Sequence, residues 1–290
     1  MRRPRLLLIA AALVGLVIYG AFNIERIALD MRAAGFEKRT LAEQEALIEP
    51  FIHIFPPAEG SPPYPVVVQF HGCAGYQQSF MKLWADAANA EGFMAVAIDS
   101  TGPRGMDREK SLALVCTGKT LIGEERAADV TAALDLVKKR ADVNKDKIVI
   151  AGWSHGAWTV MDYLALGAMG KRSPALSEKT PPAGLAGIAL FYPYCGLGAW
   201  SRLHDWNERA PAIAFVAGAD TIVNSKECVS LITKMKRRGE DIDFVYYPDA
   251  DHVFDDSTLI GGPYEHMYNK TDANDATARY RAFLAGVRAQ

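Results

Sequence analysis

Short apolar runs alternate with longer helical stretches through most of this chain, and that alternation restricts its fold more than any other feature. Val66–Phe70, Phe93–Asp99, Lys147–Ala151, Gly187–Phe191, Ala212–Ala217 and Asp243–Tyr247 are brief, rich in apolar and β-branched residues, and bounded by turn-formers. Runs that short read as strands buried on both sides of a sheet. Gln78–Glu91 and Glu124–Arg140 lie between them with helical character, and Asp272–Arg288 supplies a last helix. Strands joined through helices of about ten residues or more return in the same direction. The expected class is therefore α/β, a mostly parallel central sheet with helices on both faces.

The N-terminus has a different character. Met1, Arg2, Arg3, Pro4 and Arg5 precede an apolar run from Leu6 to Ile24. A basic flank followed by an apolar run is an export or membrane signal, and this run approaches the ~20 residues that span a bilayer as a helix. It is longer than the ~7 to 15 apolar residues of a cleavable signal core, which favours an uncleaved anchor over a signal peptide. The basic end stays cytoplasmic, so the chain from Ala28 onward is expected outside the cytoplasm, in the periplasm. The competing reading, a buried first helix of a cytosolic protein, would need a polar face that this run lacks.

With 32 basic and 34 acidic residues the formal net charge is −2, which offers no electrostatic footprint for nucleic acid. The four cysteines, Cys73, Cys116, Cys195 and Cys228, suit an oxidising compartment where two disulfides form. Four cysteines allow three pairings, and the spacing does not choose among them. They lack the C-x-x-C or clustered histidine pattern of a zinc site, so no structural metal is expected.

Immediately after the run Lys147–Ala151 stands Gly152-Trp153-Ser154-His155-Gly156, a G-x-S-x-G pattern. A strand that turns sharply into a helix holds the serine at its tip, and the crowding of that turn demands small residues on either side. The pattern alone is common; a strand before it and a helix after it make it specific. An ordinary turn serine is the competing reading.

A serine hydroxyl is a weak nucleophile and needs a base, which itself needs orienting. Of the six histidines only His204, His252 and His266 lie well beyond Ser154. His252 follows the run Asp243–Tyr247 through a short turn, at the carboxyl edge of the sheet, and is the expected base. Asp220 follows Ala212–Ala217 through Gly218-Ala219 and is the expected acid, in the chain order serine, acid, histidine. Surface loop residues are the alternative for both. Acyl transfer also needs donors for the developing oxyanion. The loop His71-Gly72-Cys73-Ala74-Gly75 after the first run supplies one backbone N–H, assigned to Cys73 with Ala74 as the neighbouring option, and His155 supplies the other. His71 then shapes the loop and does not transfer protons. Arg104 lies on a loop where it meets a substrate carboxylate or braces the loop, and Trp153 is a candidate for the acyl pocket or for the core.

These residues together resemble the dienelactone hydrolase family of the α/β-hydrolase superfamily, over roughly residues 50–290. The likeness is carried by His71 to Gly75, by Asp99-Ser100 with Arg104-Gly105, by Gly152 to Gly156, by Gly218-Ala219-Asp220 and by Asp251-His252. It implies hydrolysis of esters and lactones without a cofactor. Dienelactone hydrolases proper use a cysteine nucleophile; Ser154 in its place moves the expected substrate toward general carboxylic esters. Cys73, Cys116 and Cys195 look like the cysteines of an exported branch.

The expected organisation is an N-terminal anchor or signal peptide over 1–26, a connecting helical segment over 27–49 and an α/β-hydrolase domain over 50–290. The expected partners are a small ester or lactone and, through the N-terminus, a membrane. A serine peptidase of the same fold and a non-catalytic binding module on a hydrolase scaffold are the other readings. The full set of nucleophile, base, acid and oxyanion loop argues against the module, and the loops Lys171–Pro182 and Gly196–Glu208 decide specificity.

Overall fold

The computed structural model of the protein describes residues 23–178, 184–206 and 209–290. The chain divides into two compact units, residues 1–37 and 38–290. The expected anchor over 1–26 lies outside the described residues except for 23–26, and among the described residues no helix is long and apolar enough to cross a membrane. In the first unit residues 23–33 are helical.

The second unit is built on seven strands: β1 (Ile52–Phe55), β2 (Tyr64–Phe70), β3 (Met94–Ile98), β4 (Val143–Trp153), β5 (Gly187–Phe191), β6 (Ala212–Ala217) and β7 (Ile242–Tyr247). They form one sheet in the order β1-β3-β2-β4-β5-β6-β7. β1 pairs antiparallel with β3, and every other neighbouring pair is parallel. Each expected run is thus a strand of this sheet, and β1 is an edge strand that the alternation did not reveal.

The helices are α1 (Leu41–Ile48), α2 (Gln78–Asn89), α3 (Arg108–Leu114), α4 (Gly123–Lys139), α5 (His155–Ala168), α6 (Trp200–Leu203), α7 (Ser225–Arg237) and α8 (Lys270–Ala289). Alternation of side chains along each strand divides the core in two. Val66, Val68, Phe70, Ile148 and Ile150 face one side with Val130, Leu134, Met161 and Ile232 from α4, α5 and α7. Val67, Val149, Ala151, Trp153 and Phe191 face the other with Trp84, Tyr280 and Leu284 from α2 and α8.

The expected connecting segment 27–49 is a different object. Thr40 caps α1 with a reciprocal Thr40–Glu43 pair of bonds, and Gln44, Glu45 and Ile48 are buried. Gln44 donates to Asp129 on α4, and Lys139 reaches Glu45 at 2.7 Å. Contacts of this kind, with the burial of Gln44 and Ile48, make α1 part of the larger unit, so the boundary falls at 37/38 instead of 49/50.

Candidate active site

Ser154 stands between the end of β4 and the start of α5 with φ 52° and ψ −114°, a conformation that residues other than glycine rarely adopt. Main-chain bonds impose it: the Ser154 N–H donates to the Phe191 carbonyl at 2.8 Å, and the Ser154 carbonyl accepts from Trp158 N–H at 3.0 Å. The flanking glycines are required by contact. A Cβ on Gly152 would lie 2.5 Å from the Gly156 carbonyl, and one on Gly156 would collide with the carbonyl of Phe70.

At that tip the Ser154 hydroxyl lies 2.8 Å from Nε2 of His252. Nδ1 of His252 lies 2.7 Å from Oδ2 of Asp220. The second Asp220 oxygen accepts the N–H groups of Ile222 and Val223 at 2.9 and 2.8 Å. Both oxygens are thereby engaged, and the carboxylate is fixed in orientation. Asp251 ties the acid's loop to the base's loop, accepting from the N–H of Thr221 at 2.8 Å and of His252 at 2.7 Å.

The loop from His71 to Gly75 passes on the other side of the elbow, where a Cβ on Gly72 would be 3.6 Å from Cβ of Ser154. Cys73 on this loop is bonded to Cys116 beyond α3. His155 opens α5, so its N–H is one of the first-turn groups without an intrahelical acceptor, at the positive end of the helix dipole. Beneath both arms lies Arg126, fully buried, which donates from Nη1 to the His71 carbonyl at 2.8 Å and to Nδ1 of His155 at 3.2 Å.

Burial, reinforced by the Arg126 charge, lowers the pKa of both His71 and His155. Burial also pushes Arg126 down to about 10, against the pull of Asp129. His71 accepts from Ser100 N–H on Nε2 at 3.1 Å and contacts the Gly72 carbonyl through Nδ1 at 2.7 Å. That pair of bonds requires the neutral Nδ1–H tautomer, and such a ring shapes the loop.

Two expectations are corrected. Arg104 was a candidate for a substrate carboxylate, but its terminal nitrogens hold buried Asp129 at 2.9 and 3.1 Å and the Ser100 carbonyl at 2.7 Å. It braces its loop. Trp153 was a candidate for the acyl pocket, yet it is buried in the core, stacked on Phe191 with ring centroids 4.8 Å apart. Strand alternation turns its side chain away from the tip occupied by Ser154.

The pairing left open by the spacing is Cys73–Cys116 and Cys195–Cys228. Among the described residues no group of histidine, cysteine, aspartate or glutamate could hold a metal ion. Residues 179–182 and 207–208 of the two specificity loops lie outside the described residues. Sequence reasoning missed Arg126 altogether, and it missed the link that Asp251 makes to Thr221 and the one that Tyr192 makes to Asp255, since these join segments distant in the chain.

A parallel sheet whose central strand ends in a serine elbow, with a histidine and a carboxylate aligned behind it on later strand ends, defines an α/β-hydrolase fold. The chain belongs to the dienelactone hydrolase family, which it matches over residues 53–287. No curated protein matches it in sequence. Among solved structures it is similar to a dienelactone hydrolase-like promiscuous phosphotriesterase from metagenomic libraries, at 19% identity and TM-score 0.61, covering 81% of this chain and 92% of that one. It is also similar to esterase 2 of Thermogutta terrifontis, at 16% identity. With propionate bound, that enzyme gives a TM-score of 0.61 over 81% of this chain and 89% of its own. Phosphonylated by cyclosarin, it gives 0.62 over 81% and 88%. At these identities the likeness is one of fold.

Proposed function

We propose that the protein is a serine hydrolase of small carboxylic esters, working through an acyl-enzyme on Ser154. The observation that carries this reading is the continuous relay from Ser154 Oγ to His252 to Asp220, with contacts of 2.8 and 2.7 Å. Ser154 attacks the ester carbonyl while His252 takes its proton, and Asp220 holds the imidazole and stabilises the imidazolium. The oxyanion is received by the N–H groups of Cys73 and His155. On collapse the alkoxide leaves with the proton from His252, and water activated by the same histidine releases the acid.

Short acyl groups are favoured by the relatives. Esterase 2 of Thermogutta terrifontis has been captured with propionate and with butyrate, and phosphorylated by paraoxon. An enzyme of this class is expected to accept p-nitrophenyl acetate and butyrate. Two disulfides support placement of the hydrolase domain outside the cytoplasm, since such bonds are rare where thiols are kept reduced. We assign the apolar segment 6–24 the role of membrane anchor or export signal, with the enzyme in the periplasm.

The test is labelling with a fluorophosphonate probe, with the adduct located by mass spectrometry. Adduct on Ser154 in wild type, with labelling and p-nitrophenyl butyrate turnover both lost in Ser154→Ala and His252→Ala, is the expected result. Turnover retained by folded Ser154→Ala overturns the assignment.

A further inference from the structure

Tyr192 is the first residue after β5 and is fully buried, with φ 34°. A tyrosine in that region of backbone space is costly and persists only where its surroundings demand it. Its N–H donates to the Phe215 carbonyl at 2.7 Å, continuing the β5–β6 ladder past the end of the strand. Its ring lies against the imidazole of His252, with centroids 4.8 Å apart and planes at 62°. Its hydroxyl donates to Oδ1 of buried Asp255 at 2.9 Å.

Asp255 belongs to the loop that carries His252, and Val253 between them stands at φ 53°. One side chain therefore holds the base's loop at two points, the imidazole and the carboxyl group. The need for such a hold follows from the relay. Bonds to Asp220 and Ser154 fix the two ring nitrogens, but they leave the imidazole able to swing about the line joining those atoms. A ring packed against it removes that motion, and anchoring Asp255 stops the loop from carrying the histidine away.

The electrostatic surroundings act in the same sense. His252 has Asp220 on the neighbouring loop, Asp251, Asp255 and Asp256 on its own, and Tyr192 at the end of β5. Burial pushes the Asp255 carboxyl up to about 7, opposed by the Tyr192 hydrogen bond and aided by the Asp256 charge.

Resting on the assignment of His252 as base, we propose that Tyr192 and Asp255 are positioning residues for it: the Tyr192 ring blocks the swing of the imidazole, and the Tyr192–Asp255 hydrogen bond fixes residues 252–256 so that Nε2 stays aligned on Ser154.

The experiment compares wild type with Tyr192→Phe, Tyr192→Leu and Asp255→Asn. It measures p-nitrophenyl butyrate hydrolysis as a function of pH and the downfield proton resonance of His252 Nδ1–H. Tyr192→Phe, which removes the hydroxyl, is expected to lower kcat about 5- to 50-fold with KM within about twofold, as for loss of support behind a reacting group, and Asp255→Asn, whose amide oxygen still accepts from Tyr192, to lower it less. Tyr192→Leu, which loses the ring as well, falls further. The Nδ1–H resonance shifts or broadens in all three.

Wild-type kcat and an unchanged resonance in folded Tyr192→Phe and Asp255→Asn overturn the proposal. If wild type neither turns over ester nor is acylated at Ser154, the hydrolase assignment fails, and the resonance alone then decides whether Tyr192 and Asp255 position the imidazole. Tyr192→Phe, which keeps the ring and removes only the hydroxyl, decides the matter if Tyr192→Leu does not fold.

Discussion

The two sides of Ser154 differ in electrical character. Toward β6 and β7 the imidazole of His252 is surrounded by carboxyl groups, with Asp220 on Nδ1, Asp251 on its backbone N–H and Asp255 held nearby by Tyr192. Toward β2 and β3 the loop assigned to the oxyanion rests on Arg126, with Arg104, His71 and His155 around it and Asp129 and Asp99 as the compensating acids. On the proposed assignment acyl transfer separates charge along the same line, with the imidazolium at His252 and the oxyanion at the N–H groups assigned to Cys73 and His155. On that assignment the His252 side meets its developing charge with fixed carboxyl groups and the other side with backbone N–H groups braced by Arg126, and fixed dipoles and charges of this kind lower a barrier most when they are in place before the substrate enters.

The acidic side can be broken by one atom. Asp220→Asn keeps the shape but cannot hold the working tautomer, and kcat is expected to fall by about 10⁴-fold, read from steady-state hydrolysis at neutral pH. A loss below about tenfold would mean that Asp251 or Asp255 substitutes for it.

Each side also has its own disulfide, and removing them one at a time sharpens the contrast. Cys73→Ser with Cys116→Ser frees the oxyanion loop; Cys195→Ser with Cys228→Ser frees the segment between β5 and α7. Each is expected to cost about 2 to 4 kcal/mol of stability, measured by denaturant unfolding. The first should lower kcat the more, by several-fold, since Cys73 itself lies on the loop assigned to the oxyanion, whereas Cys195 and Cys228 flank the Tyr192 and Asp220 loops without belonging to the relay. Equal effects on kcat would refute that assignment.

The smallest effect separates the sides by the sign of their pH dependence. His71 and His155 are buried with lowered pKa, so their contribution is complete above the unfolded value of 6.5 and is lost as the pH falls below it. Asp255 is shifted the opposite way, from 3.8 to about 7. Its folded form binds more protons than its unfolded form across that range, so stability falls as the pH rises toward 7. Unfolding followed across pH should show Asp255→Asn flattening the decline, by about 1 kcal/mol per pH unit at most, and His155→Gln flattening the loss on the acid side. Identical profiles for wild type and both variants would remove the distinction.

The sheet and the relay were readable because both are written locally. Each strand is a contiguous apolar run, Gly152 and Gly156 are adjacent to Ser154, and Asp220 and His252 each follow a strand end. What escaped was written across the fold. Arg126 reaches loop and elbow only after β2 and β4 have paired, and Tyr192 meets Asp255 only once the loops beyond β5 and β7 converge. The disulfide partners likewise depend on which loops meet. Arg104 and Trp153 were candidates for substrate contacts because a loop arginine and an elbow tryptophan suit either role in one dimension; Asp129 and Phe191 decide the matter in three. β1 escaped as well, since it is only Ile52–Phe55, set just before Pro56 and Pro57.

The elbow has a consequence for descent. Its conformation is set by the Phe191 and Trp158 bonds to the main chain and by the two glycines, and the hydroxyl has no part in it. Exchanging oxygen for sulfur at residue 154 leaves every one of those constraints in place, and serine and cysteine codons differ by a single nucleotide. Hydroxyl and thiol lineages of such a scaffold are therefore neighbours in sequence space, and passage between them asks the base and the oxyanion loop to adapt while the turn that presents the nucleophile stays as it was.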